Sequence, residues 1–194
     1  MKPRMVGMLC SAGLAALLAG AGGAAPAAAT ASLHVVPSPV ITNSCLSGAA
    51  VIASTDMWTV GDIGTGTGCN PFQTVGGGSG PFQTLAEHFN GTSWSVTEAP
   101  DPAGSPLNGF FGVAAVSPAS VWAAGSSSPG NGTSTPLVEH FDGTSWTVQP
   151  APSKAGSALS LAGITSTSSG QLWAVGGSYA AGSTSSQTLT ARYS

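Results

Sequence analysis

The sequence predicts an all-β protein, a β-propeller of four-stranded antiparallel blades written as three repeats of about 51–52 residues. Three observations predict it. The string Glu87-His88-Phe89-Asn90-Gly91-Thr92-Ser93-Trp94 returns as Glu139-His140-Phe141-Asp142-Gly143-Thr144-Ser145-Trp146, changed only at Asn90 against Asp142. The string Val121-Trp122-Ala123-Ala124-Gly125 returns as Leu172-Trp173-Ala174-Val175-Gly176, and an earlier copy stands at Met57-Trp58-Thr59-Val60-Gly61. The copies are spaced by 52 residues for the first string and by 51 for the later pair of the second. The earliest copy lies 64 residues upstream of the next, so the first repeat carries an insertion. A period near fifty with strand-like content is the mark of a propeller blade.

The first residues read as an address rather than as structure. Met1-Lys2-Pro3-Arg4 gives a positive start, Met5 to Ala19 is an almost uncharged apolar stretch, and small residues follow. Ala27-Ala28-Ala29 and Ala29-Thr30-Ala31 both fit a small-x-small cleavage site, so residues 1–29 are expected to be a secretory signal peptide cleaved near 29–31. The apolar run is too short, and too soon dissolved into Gly, Ala and Pro, to make a good membrane span. Cys10 lacks the preceding small residue that a lipoprotein cysteine needs. The protein is therefore expected outside the cell.

The remainder divides into repeats at 46–99, 107–150 and 159–193. In the middle repeat Phe111 to Val116 and Val121 to Gly125 are nearly continuous apolar runs around the turn Ser117-Pro118-Ala119-Ser120. Strands apolar on both sides are buried on both faces, as the inner strands of a blade sandwiched between neighbours would be. The next pair, Leu137 to Phe141 and Ser145 to Gln149, alternates, which predicts half-solvated outer strands. Asn90-Gly91 and Asp142-Gly143 supply the positive φ of tight hairpin turns. The stretch Ser32-Leu33-His34-Val35-Val36-Pro37-Ser38-Pro39 matches Ser145 to Pro152 at Ser, Val and both prolines, so residues 32–37 are expected to supply the outer strand that the last repeat lacks. Three blades are fewer than a ring normally takes. Pairing of two chains into a six-bladed ring is the favoured expectation. A short open array and an unusual three-bladed closure are the alternatives.

Leu172-Trp173-Ala174-Val175-Gly176-Gly177-Ser178-Tyr179 resembles the kelch signature, an apolar strand ending in a glycine pair. Val138-Glu139-His140-Phe141 leading to Trp146 is similar to the kelch pattern of an aromatic before a turn and then Trp. The resemblance covers about residues 32–194, although the first two repeats keep one glycine, Gly61 and Gly125, where kelch has two. It implies a radial propeller of the kind found in secreted bacterial, actinobacterial-type proteins. Galactose-oxidase-like enzymes also carry kelch blades. No copper-ligand set is visible here, and no catalytic residue is carried over.

Chemistry is sparse. Beyond residue 29 the chain has only Lys154 and Arg192 against seven carboxylates, which argues against nucleic acid or an anionic membrane as partner. All five tryptophans, Trp58, Trp94, Trp122, Trp146 and Trp173, fall at repeat positions and read as packing rather than as a sugar shelf. His88 and His140 occupy equivalent places and read as solvated strand residues, too few for a metal site. Glu87 and Glu139 invite a paired-carboxylate, glycosidase-like reading, but Ala191 takes that place in the third repeat and no perturbing neighbour is evident. No catalytic residue, metal site or cofactor is expected. Cys45 and Cys69 are the cysteines left after cleavage and, in an exported protein, are expected to form a disulfide. That bridge would tether the insertion of the first repeat, about Asp62 to Phe82. Asp62, Asn70 and Phe72 are its candidate binding residues, for a glycan or protein ligand. The function expected is a secreted, non-catalytic binding module. A structural component working by blade association and a glycan hydrolase or lyase are the alternatives.

Overall fold

The computed structural model describes residues 35–65, 81–180, 183 and 185–193. All eleven elements are strands: β1 Ser44–Ala53, β2 Asp56–Gly64, β3 Phe82–Phe89, β4 Trp94–Thr97, β5 Leu107–Ser117, β6 Ser120–Ser128, β7 Thr135–Phe141, β8 Trp146–Val148, β9 Ser157–Ser166, β10 Leu172–Ala180 and β11 Ser186–Tyr193. The all-β class expected from the sequence is present.

Each repeat is an antiparallel meander. Repeat 1 pairs β1-β2-β3-β4, repeat 2 pairs β5-β6-β7-β8, and repeat 3 pairs β9-β10-β11. Repeats 1 and 2 join through one parallel pair, Phe82 beside Leu107, with the Phe82 amide donating to the Pro106 carbonyl at 2.8 Å. The equivalent junction between repeats 2 and 3 has the Leu159 amide donating to the Ser134 carbonyl at 3.0 Å. Among the described residues the sheets do not close on themselves. Of the expected closing strand 32–37, residues 32–34 lie outside the described residues and 35–37 are in no strand. β11 is an edge of its sheet.

The repeats stack face to face, and glycine sets how closely. The inner strands β1, β5 and β9 share an inserted residue, Ser47, Phe111 and Ala162, where the register shifts against the partner strand. β1 and β5 shift a second time, at Ile52 and Val116, next to their hairpin turns. Such bulges bend a strand and raise its twist. Opposite each shared bulge stands Gly61, Gly125 or Gly176. A Cβ there would fall 1.8, 1.9 or 2.0 Å from the carbonyl oxygen of Cys45, Gly109 or Ser160. This is the glycine that all three repeats keep in their second strand. A second set, Gly48, Gly112 and Gly163, lines up across the repeats. A Cβ on Gly48 would meet the Gly112 Cα at 3.1 Å, and one on Gly112 would meet the Gly163 Cα at 2.8 Å.

Two cores fill the boundaries. Between repeats 1 and 2 lie Trp58, Val60, Phe110, Val121, Leu137, Phe141 and Trp146. Between repeats 2 and 3 lie Ala114, Ala124, Val138, Leu161, Ile164, Leu172 and Ala174. β7 is therefore covered on both faces: Leu137, Val138 and Glu139 are all buried. The expectation of a half-solvated third strand fails because its alternate residues meet a different neighbouring repeat on each side.

Candidate functional site

Two places concentrate functional side chains, the loop-bearing end of repeat 1 and the polar part of the boundary between repeats 1 and 2.

At the first, β2 runs to Gly64 and β3 resumes at Phe82, so the insertion begins later than the sequence implies. Asp62 is a strand residue, paired with Cys45 on one side and Thr84 on the other, and only 1% exposed. It is not a loop-surface residue. By strand alternation it shares the face of Trp58 and Val60, which points at repeat 2. Asn70, Phe72 and Cys69 lie outside the described residues. Cys45, in β1, is disulfide-bonded.

Beside the loop ends is an open cleft of about 560 Å³, floored by Ile63, Leu85 and Val96 and edged by Gln83, Glu98 and Asp101. Asp101 is fixed from behind: its Oδ1 accepts from the Thr84 amide at 3.0 Å and the Thr84 hydroxyl at 3.1 Å. The cleft thus combines apolar side chains with a few acceptor oxygens.

The second place holds Glu139. It is fully buried, and neither carboxyl oxygen has a hydrogen-bond partner among the described residues. Burial, with the nearby Asp101 carboxylate adding to it, pushes its pKa up to about 8. By alternation Asn108 and Ser127 share its face toward repeat 1, and both are nearly sealed from solvent. Glu87, its repeat equivalent, is 2% exposed and is also pushed upward by burial. Alternation turns Glu87 away from repeat 2 and Glu139 toward repeat 1, so the two carboxyls do not converge on one space. No neighbour in the chain signals the perturbation of Glu139, because its causes are burial under the packed repeat and the charge of Asp101.

The histidines are not simply solvated. His88 stacks on Trp58 at 4.4 Å between ring centroids and pairs with Asp56 at 2.9 Å. His140 stacks on Trp122 at 4.2 Å and hydrogen-bonds Ser120 Oγ at 3.1 Å. Burial lowers the His140 pKa, and Asp142 partly opposes this. In repeat 3 Arg192 takes the same place, 5.9 Å from the Trp173 ring. Among the described residues no group of three or more His, Cys, Asp or Glu is placed to hold a metal ion.

The hairpins are present, but as four-residue loops in which only the glycine takes positive φ and Asn90 or Asp142 acts through its side chain. Asn90 Oδ1 accepts from the Thr92 and Ser93 amides, each at 3.0 Å, and Gly91 has φ 90°. Asp142 Oδ1 accepts from the Thr144 and Ser145 amides at 2.8 and 2.9 Å, and Gly143 has φ 95°. Those amide bonds hold the Asp142 carboxyl below its usual range.

No protein-family model matches the chain, and no curated protein matches it.

Proposed function

We propose that this chain is a secreted, non-catalytic interaction module built as a kelch-like β-propeller array, and that the insertion between β2 and β3 is its recognition loop for a glycan or protein. The observation that carries this reading is the position-for-position equivalence of the three repeats. Bulge, facing glycine and stacked tryptophan recur in each, and each inner strand is set against the next, as blades are. On so regular a scaffold the one insertion without a counterpart is where specificity would be added. The cleft beside it supplies an apolar floor and acceptor oxygens suited to hydroxyl or amide donors. We assign Cys69 as the disulfide partner of Cys45, a pairing that tethers the loop to β1.

A hydrolase using Glu87 and Glu139 is disfavoured by their burial, since a catalytic carboxyl must reach the scissile bond.

The test starts from protein recovered from culture medium. Its N-terminus should begin after Ala29 or Ala31. It should be retained on an insoluble polysaccharide or capture a cell-surface protein, and Phe72→Ala should lose that retention without lowering the melting temperature. Retention unchanged by Phe72→Ala and Asn70→Ala would sink the loop as the recognition element.

A further inference from the structure

The outward face of repeat 3 repeats the socket that repeats 1 and 2 use for their neighbours. At the boundary of repeats 1 and 2, Trp58 is 1% exposed, stacked on His88 and covered by Phe141 and Trp146 at 4.6 and 5.4 Å. At the next boundary Trp122 is stacked on His140 and covered by Tyr193 at 5.3 Å. In repeat 3 the same position is Trp173, against Arg192 and 38% exposed, on a face with Val175 at 52% and Tyr179 at 48%.

The backbone agrees with the side chains. Gly48 and Gly112 are each closed upon by the next inner strand, whereas a Cβ on Gly163 would meet only Val175 Cγ2, at 3.8 Å. Gly163 keeps the clearance that its two predecessors use for a following strand.

Repeat 1 presents the complementary face. Phe110, Phe141 and Trp146, which repeat 2 turns toward repeat 1, are 0, 9 and 4% exposed. Their equivalents in repeat 1 are Leu46, Phe89 and Trp94, and by alternation Val51 and Val96 share that face. Leu46, Val51 and Val96 are 46, 67 and 51% exposed, and Phe89 contacts Trp94 at 5.3 Å between centroids.

We propose that the repeat 3 face of one chain docks on the repeat 1 face of a second copy, with the β1 strand of that copy laid over Gly163. Repeated both ways, the contact closes a two-fold dimer of six repeats. The internal boundaries are the template for the contact. Apolar surface buried in this way drives association.

The inference rests on the blade-stacking part of the proposed function and not on the loop's ligand. A monomer that still captures a polysaccharide or protein would sink the pairing alone. Because Val96 also lines the cleft, capture is scored on the Val51→Glu monomer as well. A dimer whose monomeric variant also captures nothing would sink the ligand reading alone.

The test is the solution mass of the secreted protein by light scattering on a sizing column. Twice the chain mass is expected. Gly163→Val, which has room within its own chain, and Val51→Glu, on the opposite face, should each halve that mass while leaving the far-UV circular dichroism unchanged. A wild-type chain that stays at single mass at every concentration overturns the proposal. So does a doubled mass that survives Gly163→Val. A doubled mass that survives only Val51→Glu overturns the head-to-tail arrangement, because the repeat 3 face would then be meeting something other than repeat 1.

Discussion

The boundary between repeats 1 and 2 and the boundary between repeats 2 and 3 share one backbone plan and are filled with different chemistry. The first is aromatic, with Trp58, Phe110, Phe141 and Trp146, and encloses the carboxyl of Glu139. The second is made of Ala, Val, Leu and Ile, with Trp122 and Tyr193 at its margin, and has Ala191 where Glu139 would repeat. What the two have in common is the bulge and its facing glycine, and the column of Gly48, Gly112 and Gly163. Stacking is thus specified by the backbone clearances. The side chains between the sheets set only the strength and pH response of each boundary.

The sharpest way to break the comparison is to remove a shared clearance. Gly125→Val drives a side chain into the Gly109 carbonyl, where even a Cβ would stand at 1.9 Å. A loss of more than about 5 kcal/mol is expected, which reaches the lower end of a typical domain's whole stability. Loss of the cooperative thermal transition is the readout. Gly176→Val should do the same in repeat 3, because the clearance there is the same to within 0.1 Å.

Next come the side chains that differ. Trp58→Ala should cost about 3–5 kcal/mol by urea denaturation, the usual range for emptying a buried tryptophan site. Trp173→Ala should cost about 1 kcal/mol or less when measured in the Gly163→Val background, since most of its packing surface is then on one side only. Equal losses would mean that the two tryptophans are not in inequivalent surroundings.

Glu139 makes the first boundary sensitive to pH. An acid whose folded pKa is raised weakens the fold as pH rises. Below about pH 4.5 the carboxyl is protonated folded and unfolded alike, and there is no penalty. Between about pH 4.5 and 8 the unfolded chain alone releases the proton, so stability falls, and above about pH 8 the loss is complete. Glu139→Gln should flatten that slope and relieve destabilisation of roughly 2–4 kcal/mol at the alkaline end. Denaturation midpoints across this pH range give the answer, and a slope that persists in the variant would assign it to another group.

A modest effect belongs to the hairpin turns that repeats 1 and 2 share. Gly143→Ala places a side chain at φ 95° and 2.9 Å from the Ala119 Cβ, for a loss of about 1–2 kcal/mol. Gly91→Ala should match it, because φ is 90° and the nearest atom, Thr55 Cβ, is also at 2.9 Å. Thermal midpoints of the two variants should fall together.

Much of the strand order was legible because each repeat is contiguous in sequence and punctuated by its own turns. Asn90-Gly91 and Asp142-Gly143 could be read as hairpins, and the second-strand glycine as a recurring requirement. The reason for that glycine was not legible, since a bulge is a difference in register between two strands and leaves no residue type of its own. Ser47, Phe111 and Ala162 have nothing in common as side chains. The burial of Glu139 and Asp62 was hidden for another reason. Both stand in strands that alternate in sequence or end in glycine, and only the neighbouring repeat closes over them. The loop residues Asn70 and Phe72 remain where the sequence analysis placed them, as candidates argued from the absence of a repeat counterpart.

The bulges also answer a difficulty peculiar to this composition. Strands such as Val113-Ala114-Ala115-Val116 and Val121-Trp122-Ala123-Ala124 contain so many small, similar residues that a slip of one position would exchange one weakly distinctive face for another. In repeats 1 and 2 the facing glycine forbids it. Shift either strand by one residue and a Cβ arrives where Cys45 or Gly109 places its carbonyl oxygen; in repeat 3 Val175 blocks one direction and Gly177 leaves the other open. Repeats 1 and 2 thereby carry a proofreading notch, and a sequence poor in side-chain information can still pair those strands in one way.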